Sequence, residues 1–367
     1  MHYSIFPTAD SWISSGSNKI TGVTRTDQNF GQDEILELKK FFYNSSFDHQ
    51  TRILLNFNGT DFTSISSSVS DGTISSPKYY LKLFEAEGNS DLSSEYTLAA
   101  YPVSESWDEG TGKFEDVPKV TDGVSWDNRS NKPGGSAVTW IHNGVSHISG
   151  SGTASQSFSY QSPDIEMDVS DIVNNWLDGT NNNNGFLVRF SGSQETDGIT
   201  HGELKFFSSN TNTIFQPKLE VRWDDHISCT GNNTGSLNQM TSSGLADNDV
   251  YMKGLREFYK ESDKVKFRLA PRERYIKKTF STSYTTATGS FIPEKSGSYS
   301  IIDVASDHTI VPFSEYTYLS CDSKSNYFIQ WLNTFEPDRI YKILYKITYD
   351  DNQEQIIDNN FEFIVKR

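Results

Sequence analysis

The stretch DVSDIVNNWLDGTNNNNGFLVRF, residues 168–190, holds the one helix that the sequence predicts and the apolar strand that follows it. Four apolar residues recur at helical spacing and form one stripe: Ile172, Val173, Trp176 and Leu177. Ser170 can cap this helix, because its hydroxyl can accept a hydrogen bond from a free amide of the first turn. We predict a two-turn amphipathic helix whose Trp176 closes one open end of a β-sandwich.

The rest of the chain is typical of β-structure. Only 35% of its 367 residues are hydrophobic, but 24 Phe, 18 Tyr and 7 Trp can build cores from few, large side chains. Short apolar or alternating runs between turn signals predict strands at 35–38, 52–57, 79–85, 97–102, 158–160, 185–190, 203–208, 218–223, 264–270, 298–304, 327–332, 340–349 and 361–365. The predicted fold class is therefore all-β, built from sandwiches.

Charge divides the chain unevenly. The net charge of −16 falls almost wholly on residues 1–246, where 15 Lys and Arg face 30 Asp and Glu. An acidic surface repels nucleic acid and anionic lipid, so we expect neither as a partner. The nearly balanced residues 247–367 suit docking on another protein.

The two cysteines, Cys229 and Cys321, lie in dissimilar segments with no other cysteine nearby. We expect two free thiols and a reducing site of synthesis. The first residues lack a basic region followed by an apolar run, so no signal peptide is expected, and no run is apolar enough to predict a membrane span.

The segment 226–248 is poor in large apolar residues and rich in Gly, Ser, Thr and Asn, which predicts a linker or extended loop. It separates a first domain, 1–225, from a second, 249–367. About 120 residues with this many strands fit an immunoglobulin-like sandwich.

A series of short motifs in the first domain resembles the DNRLRE-type domain. In order they are Ala9-Asp10, Asn29-Phe30-Gly31, RILLNF, SESWDEG, DVSDIVNNWLDG, NNGFLVRF and QPKLEVRW. Their order and spacing carry the resemblance, which covers about residues 1–225. It implies a jelly-roll β-sandwich related to carbohydrate-binding modules.

The second domain has a resemblance of its own. YMKGLREFYKESDKVKFRLAPRERYIKKTFS and SCDSKSNYFIQWLNTFEPDRIYKILYKI look like C-terminal parts of structural proteins of large tailed phages, particularly those of marine cyanobacteria. This resemblance implies a virion protein that is assembled in the host cytoplasm, with other virion proteins as partners and multiple copies per particle.

Aromatic and acidic residues are the candidate ligand-binding groups of the first domain. Trp126 and Trp140 lie in a polar, loop-rich stretch and could stack on sugar faces, or they could pack beneath those loops. SESWDEG offers three carboxyls, Glu105, Asp108 and Glu109, but neighbours on a strand point to opposite faces, so a facing catalytic pair is not expected.

Metal ligands are few in the sequence. NFGQDE, residues 29–34, supplies oxygen atoms, and jelly-roll binding modules often hold structural calcium in such loops, which makes Asp10, Asn29 and Asp33 the calcium ligands to test. His142 and His147 flank an Asn-Gly turn, but two ligands do not make a closed zinc site. We expect no other cofactor.

A basic cluster follows the strand of residues 264–270. It consists of Arg272, Arg274, Lys277 and Lys278. In a domain of almost zero net charge, we expect these side chains either to contact a neighbouring subunit or to remain solvated.

Together these features predict a virion structural protein, an accessory or connecting component of the tail, neck or capsid exterior, without catalytic activity. The alternative is an adhesin that recognises host glycan through the jelly roll. A cleft with converging acids would contradict a purely mechanical role.

Overall fold

The computed structural model describes residues 1–16, 24–43, 47–88, 92–148, 150, 152–159, 164–240, 248–274, 289–350 and 352–367, without the side chains of 47, 48, 88 and 273. The chain divides into two compact units. We call Ser4–Val221 the N-terminal unit, and Met1–Tyr3 together with Arg222–Arg367 the C-terminal unit. The described residues form strands and only two α-helices, so the predicted all-β class is confirmed.

The elements up to residue 222 are mostly short strands, with one helix after β4 and another after β11. They are β1 (His2–Ile5), β2 (Ala9–Ser14), β3 (Ile35–Tyr43), β4 (Phe47–Asn56), α1 (Thr60–Ser70), β5 (Lys78–Leu83), β6 (Glu85–Gly88), β7 (Glu95–Pro102), β8 (Asn128–Ser130), β9 (Val138–Thr139), β10 (Ala154–Ser159), β11 (Ile165–Asp168), α2 (Ser170–Leu177), β12 (Phe186–Phe190), β13 (Gly202–Phe207) and β14 (Lys218–Arg222).

Two sheets dominate this part of the chain. The larger has the strand order β10-β7-β12-β4-β3-β13-β6, with β2 also paired to β4. The smaller has the order β1-β14-β5-β11, and β8 pairs with β9 in a small separate ribbon. Strand β12 is buried along its whole length, and β4 is buried from Ile53 to Asn56, which places these segments at the centre of the larger sheet.

Helix α2 confirms the predicted helix, and its tryptophan packs as expected. The centre of the Trp176 ring lies 4.7 Å from the ring centre of Phe186 in β12 and 6.2 Å from that of Phe62 in α1. Ser170 does not cap α2, however. Its hydroxyl accepts a hydrogen bond from the Tyr79 amide at 2.9 Å, which fastens the start of α2 to β5.

Helix α1 is missing from the prediction. Its sequence, TDFTSISSSVS, is rich in Ser and Thr, which favour turns over helices. In the structure, the Ser64 and Ser68 hydroxyls donate to carbonyls four residues earlier, so they do not compete for amides elsewhere. Phe62 and Ile65 are the buried residues that hold the helix in place.

The C-terminal unit contains the remaining elements. They are β15 (Asn238–Gln239), β16 (Asn248–Lys253), β17 (Phe258–Lys260), β18 (Lys264–Glu273), β19 (Ser290–Phe291), β20 (Gly297–Asp303), β21 (Thr309–Val311), β22 (Ser320–Asp322), β23 (Ser325–Trp331), β24 (Ile340–Thr348) and β25 (Glu354–Lys366), with 3₁₀ turns at Gly231–Thr234, Glu315–Thr317 and Leu332–Thr334.

The core of this unit lies between two sheets, β16-β18-β23-β22 and β17-β25-β24-β20-β21. Phe267 and Phe328 of the first sheet share one apolar cluster with Tyr299, Tyr341 and Tyr345 of the second. Tyr299 and Phe328 stack at 3.8 Å between ring centres. Large rings therefore fill this sandwich, as the aromatic content predicted.

The prediction of two free thiols is wrong, because Cys229 and Cys321 form a disulfide. Folding brings the two segments together: the Cys321 amide donates to the Ile227 carbonyl, and the bridge lies in a small apolar cluster with Phe291. A pairing across 92 residues has no local sequence signal. The expectation of a reducing site of synthesis rested on free thiols, and the disulfide removes that basis.

The segment predicted as a linker, 226–248, belongs to the C-terminal unit where the structure describes it. Residues 226–240 contain one half of the disulfide, a 3₁₀ turn and β15, which pairs with β19. Residues 241–247 lie outside the described residues. The disulfide and the β15–β19 pair fasten a segment whose composition is typical of a tether.

Candidate functional site

A cleft of about 660 Å³ opens on the face of the β3-β13-β6 part of the larger sheet in the N-terminal unit. Antiparallel pairing sets Glu37 opposite Lys205 and Lys39 opposite Glu203. Residues directly opposite in a sheet point to the same face, so these four side chains form a cross-strand ladder of alternating charge. The ladder is the floor of the cleft.

Glu37 is the most deeply placed acid of the floor. Only 9% of it is exposed, and burial raises the pKa of its carboxyl to about 7. Lys39 pairs with Glu37 and opposes this shift, whereas the hydrogen-bonded Glu203 carboxyl adds to it. Near neutral pH the Glu37 carboxyl is therefore partly protonated, and it can both donate and accept hydrogen bonds.

Aromatic rings and a fixed loop form one wall. Asp33 accepts hydrogen bonds from the Trp12 indole at 2.9 Å and from the Phe114 amide at 2.9 Å, which ties β2 to the loop that carries Phe114. The Phe114 ring is 43% exposed and has the Arg25 guanidinium 3.8 Å from its centre. Phe207, half-buried, lines the cleft at the end of β13.

The lining is strongly acidic. Six carboxyl side chains and two lysines face the cleft: Asp33, Glu34, Glu37, Glu87, Glu115, Glu203, Lys39 and Lys205. Lys205 pairs with Glu87 at 2.8 Å. A ligand that enters this cleft meets exposed ring surface, hydrogen-bonding carboxyls and an excess of negative charge, which disfavours anions. The arrangement suits a neutral polyol or a ligand with an amino group.

A second acid pair lies beside the cleft and organises its loops. Burial raises the pKa of Asp10 to about 6 and that of Glu109 to about 7, and the Asp10 amide donates to the Glu109 carboxylate at 3.0 Å. The Asn29 side chain makes four hydrogen bonds here, two of them accepted by its oxygen from the amides of Gly31 and Gly112. These contacts hold the loop that carries Phe114.

The predicted calcium ligands lie in this region but are already engaged. Asp10 accepts from the amide and hydroxyl of Ser209 at 2.7 Å each, and Asn29 and Asp33 are committed to the loop contacts above. Within the described residues, no three His, Cys, Asp or Glu side chains converge as a metal site. Calcium binding by Asp10, Asn29 and Asp33 stays a prediction.

Of the two tryptophans that could stack on sugars, Trp140 packs beneath the loops, which was the alternative expectation, whereas glycan binding by the half-buried Trp126 stays a prediction. Trp140 is 3% exposed, lies in an apolar cluster and donates to the Ser125 carbonyl at 2.9 Å, so it offers no face to a ligand. Trp126 is half-buried against the same cluster, with the Arg52 guanidinium 4.7 Å from its ring centre. This cluster joins the rings to Leu54 of β4 and Leu187 of β12, so the loops that carry them pack on an apolar face of the larger sheet.

The acids of SESWDEG do not converge. Glu105 accepts from the Ile141 amide at 3.0 Å, Asp108 lies 3.5 Å from Lys132, and Glu109 faces Asp10. His147 packs on Tyr101 at 4.7 Å between ring centres, and burial lowers its pKa. The motif lies in a loop after β7 and not on a strand, so its acids are separated by these individual contacts and not by strand alternation.

The predicted basic cluster is only partly described. Arg272 pairs with Asp249 at 3.0 Å and Arg274 is exposed, whereas Lys277 and Lys278 lie outside the described residues. The subunit-contact role of the cluster stays a prediction.

The sequence prediction missed the cleft although part of its signal was present. ILELK in β3 and GELKF in β13 both alternate charged and apolar residues, which marks strands with one charged face. Which strands pair, and in what register, could not be read from a single sequence. The floor therefore became visible only with the fold.

Comparisons with known proteins leave the family open. No protein-family model and no curated protein matches this chain. Among solved structures, the adhesin domain of Epf from Streptococcus pyogenes aligns over 100% of this chain and 98% of that one, at 6% identity and a TM-score of 0.18. A likeness at this TM-score supports no conclusion about family or function. Within the described residues, no helix is long and apolar enough to cross a membrane.

Proposed function

We propose that the chain is a binding protein whose N-terminal unit takes a carbohydrate of a host surface into the β3-β13-β6 cleft. The observation that carries this proposal is the combination of exposed ring surface at Phe114 and Phe207 with the hydrogen-bonding pair Glu37 and Glu203 in one cleft. Sugars present apolar faces to rings and hydroxyls to carboxylates, so both features have a use. A purely mechanical component has no need of such a cleft.

Charge narrows the ligand to a neutral or amino-bearing sugar. Anionic glycans would meet the six lining carboxyls. Acidic polysaccharides are therefore expected to bind weakly. Their affinity should be lowest at low ionic strength, where repulsion is least screened.

A glycan array followed by titration calorimetry on the best neutral or amino glycan tests the proposal. Phe114→Ala and Phe207→Ala should each weaken binding about tenfold, the equivalent of 1.4 kcal/mol. Phe258→Ala is the matched control, because Phe258 is 48% exposed but lies in the C-terminal unit. Equal losses in all three variants, or no binding of any glycan, would contradict the proposal.

We propose binding without bond cleavage. Glycoside hydrolysis uses two carboxyls about 5–5.5 Å or about 6.5–9.5 Å apart, whereas Glu37 and Glu203 are joined by a hydrogen bond. An assay for new reducing ends after prolonged incubation with the bound glycan should show none above a Glu37→Gln control. Release above that control would establish catalysis.

A second proposal concerns the setting of this binding. The resemblance of residues 247–367 to phage structural proteins supports a role as an accessory or connecting component on a virion, with a jelly-roll N-terminal unit and an immunoglobulin-like C-terminal unit. The uneven charge, −14 on residues 4–221 and −2 on the remainder, favours a protein that contacts different partners with its two units. Antibody labelling of purified particles tests this setting, since unlabelled particles would exclude it.

A further inference from the structure

One face of the sheet β16-β18-β23-β22 carries cations and aromatic rings together. Alternation along β18 puts Phe267 and Leu269 into the core and the cations on the opposite face. The cations of this basic face are Lys253, Lys264, Lys266, Arg268 and Arg272, and its rings are Tyr251, Tyr327 and Trp331. Among the described residues, two carboxylates pair with them, Asp322 with Arg268 and Asp249 with Arg272.

The rings hold the lysines in place. The Lys264 ammonium lies 4.6 Å from the centre of the Trp331 ring, and the Lys266 ammonium lies 3.8 Å from that of Tyr327. Both lysines are exposed. Cations fixed in this way lose less conformational entropy on binding than free lysines do, so the face is preorganised for an anionic partner.

This arrangement does not serve the stability of the sheet. Lys253 stands directly opposite Arg268, a like-charge pair of the kind that destabilises a sheet. The floor of the N-terminal cleft shows the stabilising alternative, with Glu37 opposite Lys205 and Lys39 opposite Glu203. Asp322 neutralises Arg268 through two hydrogen bonds, so the excess positive charge of the basic face lies mainly on its lysines, which can meet an anionic partner.

We propose that the basic face binds the acidic N-terminal unit of a second copy of this chain. Residues 4–221 carry 28 Asp and Glu against 14 Lys and Arg, a net charge of −14, so the chain itself provides a complementary partner. The contact joins unlike surfaces and leaves both types free at the ends, so copies add head to tail. This inference does not depend on glycan binding by the cleft.

Nucleic acid is the less suitable partner. Single strands bind where bases can stack on open rings, but Tyr327 is 7% exposed and covered by Lys266. The net charge of −16 would also repel a polyanion from the rest of the chain.

Sedimentation velocity of the full chain at 50 and 500 mM NaCl is the test. At 50 mM NaCl the wild type should self-associate with increasing concentration, and at 500 mM its association constant should fall at least about tenfold through screening. Lys264→Glu/Lys266→Glu should remain monomeric, and Lys264→Gln/Lys266→Gln should associate weakly. Lys260→Glu/Lys295→Glu is the control, because it makes the same change in net charge at exposed lysines outside the basic face. Circular dichroism of each variant checks that it is folded.

A mixing experiment distinguishes the head-to-tail contact from a contact between two basic faces. Fluorescently labelled Lys264→Glu/Lys266→Glu keeps its acidic unit, so it should co-sediment with unlabelled wild type although it does not associate with itself. Failure to co-sediment would overturn the proposal, as would a monomeric wild type at 50 mM NaCl or equal loss in the Lys260→Glu/Lys295→Glu control. Binding of a labelled single-stranded oligonucleotide by a monomeric wild type, lost in Lys264→Glu/Lys266→Glu, would assign the face to nucleic acid instead.

Discussion

Reduction of the Cys229–Cys321 disulfide should destabilise the C-terminal unit and leave the N-terminal unit unchanged. The bridge closes a loop of 92 residues. Chain-entropy arguments for a loop of this length give about 4.6 kcal/mol at 25 °C, because the cross-link restricts the unfolded chain. Several contacts of the native state also depend on the bridge: the Cys229 amide donates to the Glu294 carboxylate, which also pairs with His226.

The measurement must report each unit separately, since two units need not unfold together. Hydrogen exchange with mass spectrometry across a urea titration does so, with β24 reporting the C-terminal unit and β12 the N-terminal unit. With a urea dependence of about 2 kcal/mol per M, loss of the bridge should lower the β24 midpoint by about 2 M. The β12 midpoint should not move.

Cys229→Ser/Cys321→Ser should reproduce the effect of dithiothreitol and show no further response to it. A shift of the β24 midpoint by less than about 0.5 M, or an equal shift at β12, would refute the reasoning. The first result would mean that β15, β19 and the surrounding cluster hold residues 226–240 without the bridge. The second would mean that reductant acts on the protein by another route.

Three further predictions concern the N-terminal unit. Trp176→Ala should lower its free energy of unfolding by about 3–5 kcal/mol in urea titrations, because the ring fills the space between α1 and β12. Its stability should fall as pH rises from about 4.5 through 7, because burial raises the pKa of Glu37 and Glu109 to about 7 and that of Asp10 to about 6, so the folded state binds more protons than the unfolded state in that range; Glu37→Gln should reduce this slope in urea titrations at pH 5, 6, 7 and 8. If Asp10, Asn29 and Asp33 bind calcium with a Kd near 10 μM, 1 mM calcium should add about 2.7 kcal/mol to its stability and raise its thermal midpoint relative to EDTA; an unchanged midpoint would mean that these side chains serve only the hydrogen bonds that now engage them.

Local patterns predicted the elements well. The apolar stripe from Ile172 to Leu177 predicted α2, although not the role of Ser170, and alternation in residues 264–270 and 340–349 predicted β18 and β24. These signals are local, since they depend on the period of one segment. Helix α1 was missed for the same reason, because its hydroxyl-rich sequence gives no period and only Phe62 and Ile65 reveal its buried side.

Pairings between distant segments could not be predicted. Neither cysteine segment resembles the other, and nothing near Glu37 points to Glu203, 166 positions later in the chain. The polar surroundings of Trp126 and Trp140 left stacking and packing open, and the fold decides for Trp140, because its loop folds back onto an apolar sheet face and buries it. A single sequence shows whether each face of a strand or helix is apolar or charged, but not which other face it packs against.

The charges on the floor of the cleft could contribute either to the stability of the fold or to the binding of a ligand. A ladder selected for stability alone would keep every carboxylate ionised and paired, since an ionised pair in a sheet contributes favourably. Glu37 instead has a raised pKa, because it is buried and shares a hydrogen bond with Glu203, so the folded state is disfavoured at neutral pH. A buried acid that lowers stability and faces an open cleft is better explained by what it binds than by what it supports. If Glu37→Gln stabilised the N-terminal unit at pH 8 and left every glycan affinity unchanged, that explanation would fail and the ladder would be a structural feature only.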